Sequence, residues 1–154
     1  MADIDVDILI IGGGLTGALL AMALANSPYK TLLVDAHPFE VKTTDDFDAR
    51  SIALSPSSKS TLKTLGVWDE ISPHASPINR IHISEQGQFG LSNLHPQSEK
   101  VLGYVVEVQA LFQAIQPRLK NQDVLAPATL KHYDKVQRIA TVESSNKLQS
   151  IQAK

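Results

Sequence analysis

Residues 7–17 read DILIIGGGLTG and run into the small-residue segment ALLAMALA, leaving the start of this chain few folds to choose from. A short apolar run meets a glycine cluster with glycines at 12, 14 and 17, the G-x-G-x-x-G spacing of a dinucleotide-binding turn. Gly12 permits a sharp exit from a strand, Gly14 keeps side-chain bulk away from a pyrophosphate, and Gly17 permits close packing of the next helix. The free N–H groups and the positive dipole end of that helix would then face phosphate.

The surrounding residues strengthen this reading. Ile8 to Ile11 is continuously apolar, as expected of a parallel strand buried on both faces. Ala18 to Ala25 contains good helix formers, and Asn26, Ser27 and Pro28 end the helix. Thr31 to Val34 is a second apolar run ending at Asp35, close to the offset of about 20 residues expected of a ribose-binding acid. Strand, glycine turn, helix, strand and acid make a βαβ half-unit. The alternative reading is a structural tight turn with an incidental surface acid.

Composition excludes other classes. The chain has 154 residues, 43% of them hydrophobic, enough for one domain with a core. A net charge of -2 without a basic run disfavours nucleic acid. The absence of cysteine removes disulfides, thiolate metal sites and cysteine nucleophiles. MADIDVDILI has no basic region of the secretory type, and no apolar stretch reaches the ~18 residues that span a bilayer. A cytoplasmic protein is the expectation, with peripheral contact at the inner face of the membrane left open.

The connection at 36–49, AHPFEVKTTDDFDA, is polar and long for a nicotinamide-type Rossmann domain. Ile52 to Leu54 then reads as a short strand. Ser55 reads as an N-cap with Pro56 behind it, and the helix runs to about Leu65, with Leu62 and Leu65 buried and Gly66 as C-cap. Val67 and Trp68 pack back, and Pro73 and Pro77 mark a loop. Ile78, Ile81 and Ile83 predict a strand that returns through Phe89 to Leu94 after a Gln86-Gly87 turn. Leu102 to Val106 predicts another strand. Leu111, Ile115 and Leu119 predict a helix from Val108 to about Leu119, with Pro117 weakening its last turn or ending it early. Beyond it, Val124–Thr129, Leu130–Tyr133, Val136–Glu143 and a start near Leu148 read as strands, with a turn at Ser144, Ser145 and Asn146.

Three stretches together resemble the FAD-dependent aromatic hydroxylases of ubiquinone biosynthesis. They are DILIIGGGLTGALLAMALA with its downstream VDA; FDARSIALSPSSKSTLKTLGVWDEI; and INRIHISEQGQFG with LGYVVEVQALFQAI. The resemblance implies an α/β fold: a Rossmann-like FAD-binding domain of the aromatic hydroxylase type, truncated, with an additional partly antiparallel β region. It also implies that Gly12, Gly14, Leu15, Thr16 and Gly17 cradle the FAD pyrophosphate and that Asp35 accepts from the adenosine ribose. Arg50, in the D-x-R position, would lie near the FAD phosphates, where a guanidinium makes forked contacts. Gln109 falls where the family often has Arg or another polar FAD contact, with ordinary polarity at a helix N-terminus as the alternative reading. In the family NAD(P)H supplies electrons to the flavin, which then hydroxylates a polyprenyl phenol with molecular oxygen; other quinone-biosynthesis enzymes are the implied partners.

The chain lacks the A-D-G and G-D stretches that the family shows further on. Residues 1–154 therefore read as the N-terminal part of an FAD-binding domain. The isolated chain is expected to bind FAD weakly or not at all, to lack hydroxylase activity, and to self-associate through exposed sheet edges. A non-catalytic nucleotide-binding or interaction module and an NAD(P)-binding oxidoreductase domain are the alternatives. Other polar residues have plainer readings. His37, His74, His82, His95 and His132 lack metal-ligand spacing. Asp45, Asp46 and Asp48 form a solvated acidic loop, with an Arg50–Asp48 ion pair as the alternative role for Arg50. Ser55, Ser57 and Ser58 are capping residues, and Trp68 and Phe112 belong to the core.

Overall fold

The computed structural model describes residues 3–38, 50–87, 89–97 and 101–154. The acidic cluster Asp45, Asp46 and Asp48 lies outside them. The chain divides into two compact units, residues 1–42 with 115–154, and residues 43–114.

The first unit holds two sheets. Strand β2 (Ile8–Ile11), helix α1 (Leu15–Leu24) and strand β3 (Thr31–Val34) form the βαβ half-unit, with β2 and β3 parallel and Ile8 opposite Thr31. A third parallel strand, β9 (Asp123–Leu125), lies against β3, giving the order β2-β3-β9. The middle strand is the most buried, Leu33 fully and Val34 to 1%. The expectation that β2 is buried on both faces is corrected. Among the described residues β2 pairs with β3 alone, and Ile11 is 46% exposed.

The second sheet of this unit has the order β1-β12-β11-β10. Strand β1 (Ile4–Val6), which the sequence pattern does not predict, runs parallel to β12 (Lys147–Ala153). Strands β10 (Thr129–Asp134), β11 (Ile139–Ser144) and β12 make an antiparallel meander. Ser145 and Asn146 both adopt positive φ between the paired Ser144 and Lys147, the backbone of a two-residue hairpin that follows strand twist. Val6, Leu32, Val34, Ala128, Ala140, Val142 and Ile151 form one buried cluster.

Two strand expectations here are corrected. Val124–Thr129 is not continuous: it is broken around a cis Ala126–Pro127 bond, β9 entering the parallel sheet and β10 the antiparallel one. The strand read from Val136 begins instead at Ile139. Asp134 accepts the N–H groups of Val136 and Gln137, closing a turn that ends with Arg138 at positive φ.

The second unit is built on a sheet of order β4-β8-β5, from β4 (Ser51–Leu54), β8 (Gly103–Glu107) and β5 (Ala75–Ile78), all antiparallel pairs. Helix α2 (Pro56–Thr64) starts as the sequence predicts, with the Ser55 hydroxyl accepting the Ser58 N–H at 3.1 Å. It ends in a Schellman motif: the Val67 N–H reaches the Leu62 carbonyl at 2.8 Å and the Gly66 N–H the Lys63 carbonyl, while Gly66 takes φ +71°. Leu62 and Val67 are buried, whereas Leu65 is only half-buried.

The segment read as a loop around Pro73 and Pro77 is instead helix α3 (Trp68–Ile71), a 3-10 turn (Ser72–His74) and β5. Pro77 is tolerated because β5 is an edge strand. Ile78 ends β5, so it does not continue into β6 (Ile81–Ser84). β6 pairs with β7 (Leu91–Leu94) in a separate hairpin. Helix α4 (Val108–Leu119) has the predicted limits. Pro117 lies inside it and does not end it early; Leu111, Ala114, Ile115 and Leu119 keep one buried face through the proline.

Candidate functional site

The turn between β2 and α1 is pinned from three directions. The Gly12 N–H donates to the Val34 carbonyl at 2.8 Å, the Gly13 N–H to Asp35 Oδ2 at 2.6 Å, and the Ala18 N–H to the Gly14 carbonyl at 2.9 Å. Gly12 takes φ +99°, a conformation that glycine alone adopts freely. A Cβ at Gly17 would overlap the Gly12 carbonyl oxygen and crowd the Gly12 carbonyl carbon. A Cβ at Gly14 would meet nothing within 4 Å. The three glycines thus differ: one bends the chain, one permits contact, and one leaves open space.

Gly14 is the N-cap of α1 and supplies no side-chain cap, and the first turn contains no acidic residue. Leu15, Thr16 and Gly17 follow, and helix geometry gives these first amides no carbonyl partner within the helix. Such an N-terminus is suited to an anion. The bulk-free space at Gly14 fits a diphosphate, as does the uncapped helix start.

Asp35 closes the other side. Its carboxylate accepts the Gly13 N–H on Oδ2 and the His37 N–H on Oδ1, the latter at 2.7 Å. Its backbone N–H donates to the Leu125 carbonyl at 3.2 Å, and its carbonyl accepts the Ala128 N–H at 2.7 Å. The side chain retains 18% exposure, and the His37 ring stands 3.5 Å from Oδ1. Each carboxylate oxygen keeps acceptor capacity for a hydroxyl from solvent or ligand. Sequence reasoning places Asp35 beside the turn but misses its bond to Gly13 and the neighbouring His37, because spacing carries no signal for a side-chain-to-backbone contact.

Arg50 and Gln109 belong to the second unit. The Arg50 carbonyl accepts the Val108 N–H at 2.9 Å, so the entry to β4 is tied to the start of α4. Gln109 follows in the first turn of that helix and is half-buried. The Arg50 backbone is thus bonded to the residue before Gln109, while in the first unit the glycine turn is bonded to Asp35 itself. Asp48, the other proposed partner of Arg50, is outside the described residues.

The remaining polar candidates have local roles. The Ser55 hydroxyl shares hydrogen bonds with those of Ser57 and Ser58 at 2.7 and 3.0 Å. Trp68 is buried and meets Tyr104 edge-on at 4.9 Å, and Phe112 is half-buried. His82 is hydrogen-bonded to Asn93 across the β6–β7 hairpin. No helix among the described residues is long and apolar enough to cross a membrane.

Comparison with known proteins gives this geometry a context. The family described as FAD binding domain matches residues 5–154. A ubiquinone hydroxylase, UbiL of Rhodospirillum rubrum, is 33% identical over 133 residues, covering 84% of this chain and 31% of that protein. The 3-demethoxyubiquinol 3-hydroxylase of Escherichia coli is 32% identical over 127 residues, covering 78% of this chain and 32% of that protein. The chain therefore spans about a third of the length of these curated relatives. Among solved structures, the p-nitrophenol 4-monooxygenase PnpA of Pseudomonas putida superposes with a TM-score of 0.71 at 15% identity, covering 98% of this chain and 39% of that one. PqsL of Pseudomonas aeruginosa, described as a probable FAD-dependent monooxygenase, superposes with a TM-score of 0.68 at 14% identity, covering 97% of this chain and 40% of that one.

Proposed function

The chain belongs to the FAD binding domain family, and from that membership we propose that it holds the ADP half of FAD in an aromatic hydroxylase of ubiquinone biosynthesis. The observation that carries this reading is the pairing of a bulk-free, uncapped helix start at Gly14 with the Asp35 carboxylate bound to the same turn. The amides of Gly14, Leu15, Thr16 and Gly17 would receive the diphosphate, and Asp35 the ribose hydroxyls. Arg50 and Gln109 would supply further polar contacts to the cofactor. Family membership favours FAD over a nicotinamide nucleotide at this turn.

The flavin, when bound, would supply the redox and oxygen chemistry for hydroxylating an aromatic ring. For the whole protein we propose NAD(P)H as electron donor, a polyprenyl phenol as substrate, and contact with the membrane surface and with other quinone-biosynthesis enzymes. The names of UbiL and the E. coli hydroxylase support the substrate class.

Thermal-shift titration with FAD, ADP and FMN tests the binding assignment. At the millimolar concentrations that a weak site in the isolated chain requires, FAD and ADP should both raise the melting temperature, and FMN, which lacks the adenosine and one of the two phosphates, should leave it unchanged. Equal protection by FMN and FAD, or protection by none of the three, overturns it.

A further inference from the structure

We propose that Asp35 is a positioning residue for the diphosphate turn as well as a ribose acceptor, so that one carboxylate couples the two halves of ADP recognition. The proposal rests on the reading of this turn as an ADP site and extends it. The Gly13 N–H is taken by Asp35 Oδ2 at 2.6 Å. Gly13 is buried and immediately precedes Gly14, whose amide opens the anion-facing series. Fixing the Gly13 N–H therefore restricts the peptide planes of the next residues.

The carboxylate is itself held. His37 donates its N–H to Oδ1, and the Asp35 backbone is bonded on both sides, to Leu125 and to Ala128. Leu125 closes β9 and Ala128 precedes β10, so the acid is tied to the segment that leaves the parallel sheet. A turn bonded to such an anchored group is organised before any ligand arrives. The coupling runs both ways. A ribose that orders the Asp35 carboxylate orders the turn, and a diphosphate that orders the turn orders the carboxylate.

Asparagine cannot replace this group. Asp35 accepts two N–H donors on two different oxygens, whereas an amide offers one acceptor oxygen and turns an N–H₂ toward the second donor. Removing the carboxylate also removes a negative charge beside an anion site. A residue that merely touched ribose would therefore leave inorganic pyrophosphate binding unchanged, or improve it, when changed to Asn. A positioning residue would weaken it.

Two measurements on the ligand-free chain and one on its binding test this. In the unsubstituted protein, a through-hydrogen-bond coupling between the Gly13 nitrogen and the Asp35 carboxylate carbon is expected. In Asp35→Asn, hydrogen exchange at the Gly13 amide should accelerate by about tenfold or more, the scale of losing a hydrogen bond to a charged group. Affinity for inorganic pyrophosphate should fall with that for ADP, while Asp35→Glu restores part of both. Absence of the coupling overturns the proposal even if Asp35→Asn fails to fold. So does unchanged Gly13 exchange, or pyrophosphate affinity that holds or rises while ADP affinity falls. If the unsubstituted chain binds neither ADP nor pyrophosphate, the ADP-site reading fails and the functional coupling fails with it. Intact coupling and accelerated exchange would then mark Asp35 as a purely structural anchor.

Discussion

A side chain on Gly17 would overlap the carbonyl oxygen of Gly12, so helix α1 and the turn that feeds it touch through backbone alone. Gly14, three residues earlier, faces open space at ordinary negative φ. Substitutions at the two glycines should therefore separate folding from binding. Gly17→Ala should cost about 1–3 kcal/mol, the scale of overpacking, since the obstacle is backbone. Gly14→Ala should stay within about 0.5 kcal/mol of the parent in stability and yet lose ADP affinity. Urea denaturation beside ADP titration reads both. Equal stability losses at the two sites would remove the distinction.

The two ends of α2 carry separate energetic features. Ser55→Ala removes the acceptor for the Ser58 N–H and should cost about 1 kcal/mol. Gly66→Ala puts a Cβ on a residue at φ +71°, with nothing within 4 Å to obstruct it. Its cost, about 1–2 kcal/mol, should come from backbone conformation alone. Because the two lie at opposite ends of the helix, the double variant should show additive losses in chemical denaturation.

Lys59 joins three elements. Its ammonium donates to the Tyr104 hydroxyl at 2.8 Å and lies 5.1 Å from the Trp68 ring centroid and 4.7 Å from that of Tyr104. Lys59→Met keeps the alkyl packing and removes the charge. A double-mutant cycle with Tyr104→Phe, which keeps the ring and removes only the hydroxyl, should return a coupling of about 0.5–1.5 kcal/mol, the range for a hydrogen bond. A coupling of zero would mean that the two side chains are only neighbours.

Acid should weaken the first unit through two aspartates. The Lys154 ammonium, followed by the Lys30 N–H, holds the Asp7 carboxyl below its ordinary value; the N–H groups of Gln137 and Val136 do the same for Asp134. A carboxyl depressed in the folded state stabilises fully above the ordinary carboxylate range, about pH 4, and loses that contribution as pH falls through its folded value. The denaturation midpoint should therefore drop on acidification below about pH 4. Asp7→Asn and Asp134→Asn should each flatten that slope. The reverse holds for Lys154, raised by its hydrogen bond to Asp7: its contribution is complete below the ordinary lysine range and is lost as pH rises through the raised value. Slopes identical to that of the parent in both variants would show that other groups govern acid stability.

Local chemistry made much of this legible in the sequence. The limits of β2, β3 and α4 and the Ser55 and Gly66 caps follow from apolar periodicity and backbone preference, which act over a few residues. What escaped depends on distant partners. Three residues of β1 carry no usable period, and they become a strand only because β12 lies beside them. Pro77 reads as a loop residue until the edge position of β5 is known. Val124 to Thr129 looks like one strand because both halves are apolar, although they serve different sheets. At the site, spacing located Gly12, Gly14, Gly17 and Asp35, while the anchoring of Asp35 by Leu125 and Ala128 joins residues far apart in the chain.

The pairing of β1 with β12 sets Ile4 against Ile151. On a ribosome adding roughly 5–20 residues per second, the first strand must wait for nearly the whole 154-residue sequence before its partner exists. Residues 43–114 are contiguous and complete much sooner. The unit that carries the glycine turn, begun first, is thus the later of the two to close, and the newborn chain carries an unmated β1 throughout that interval.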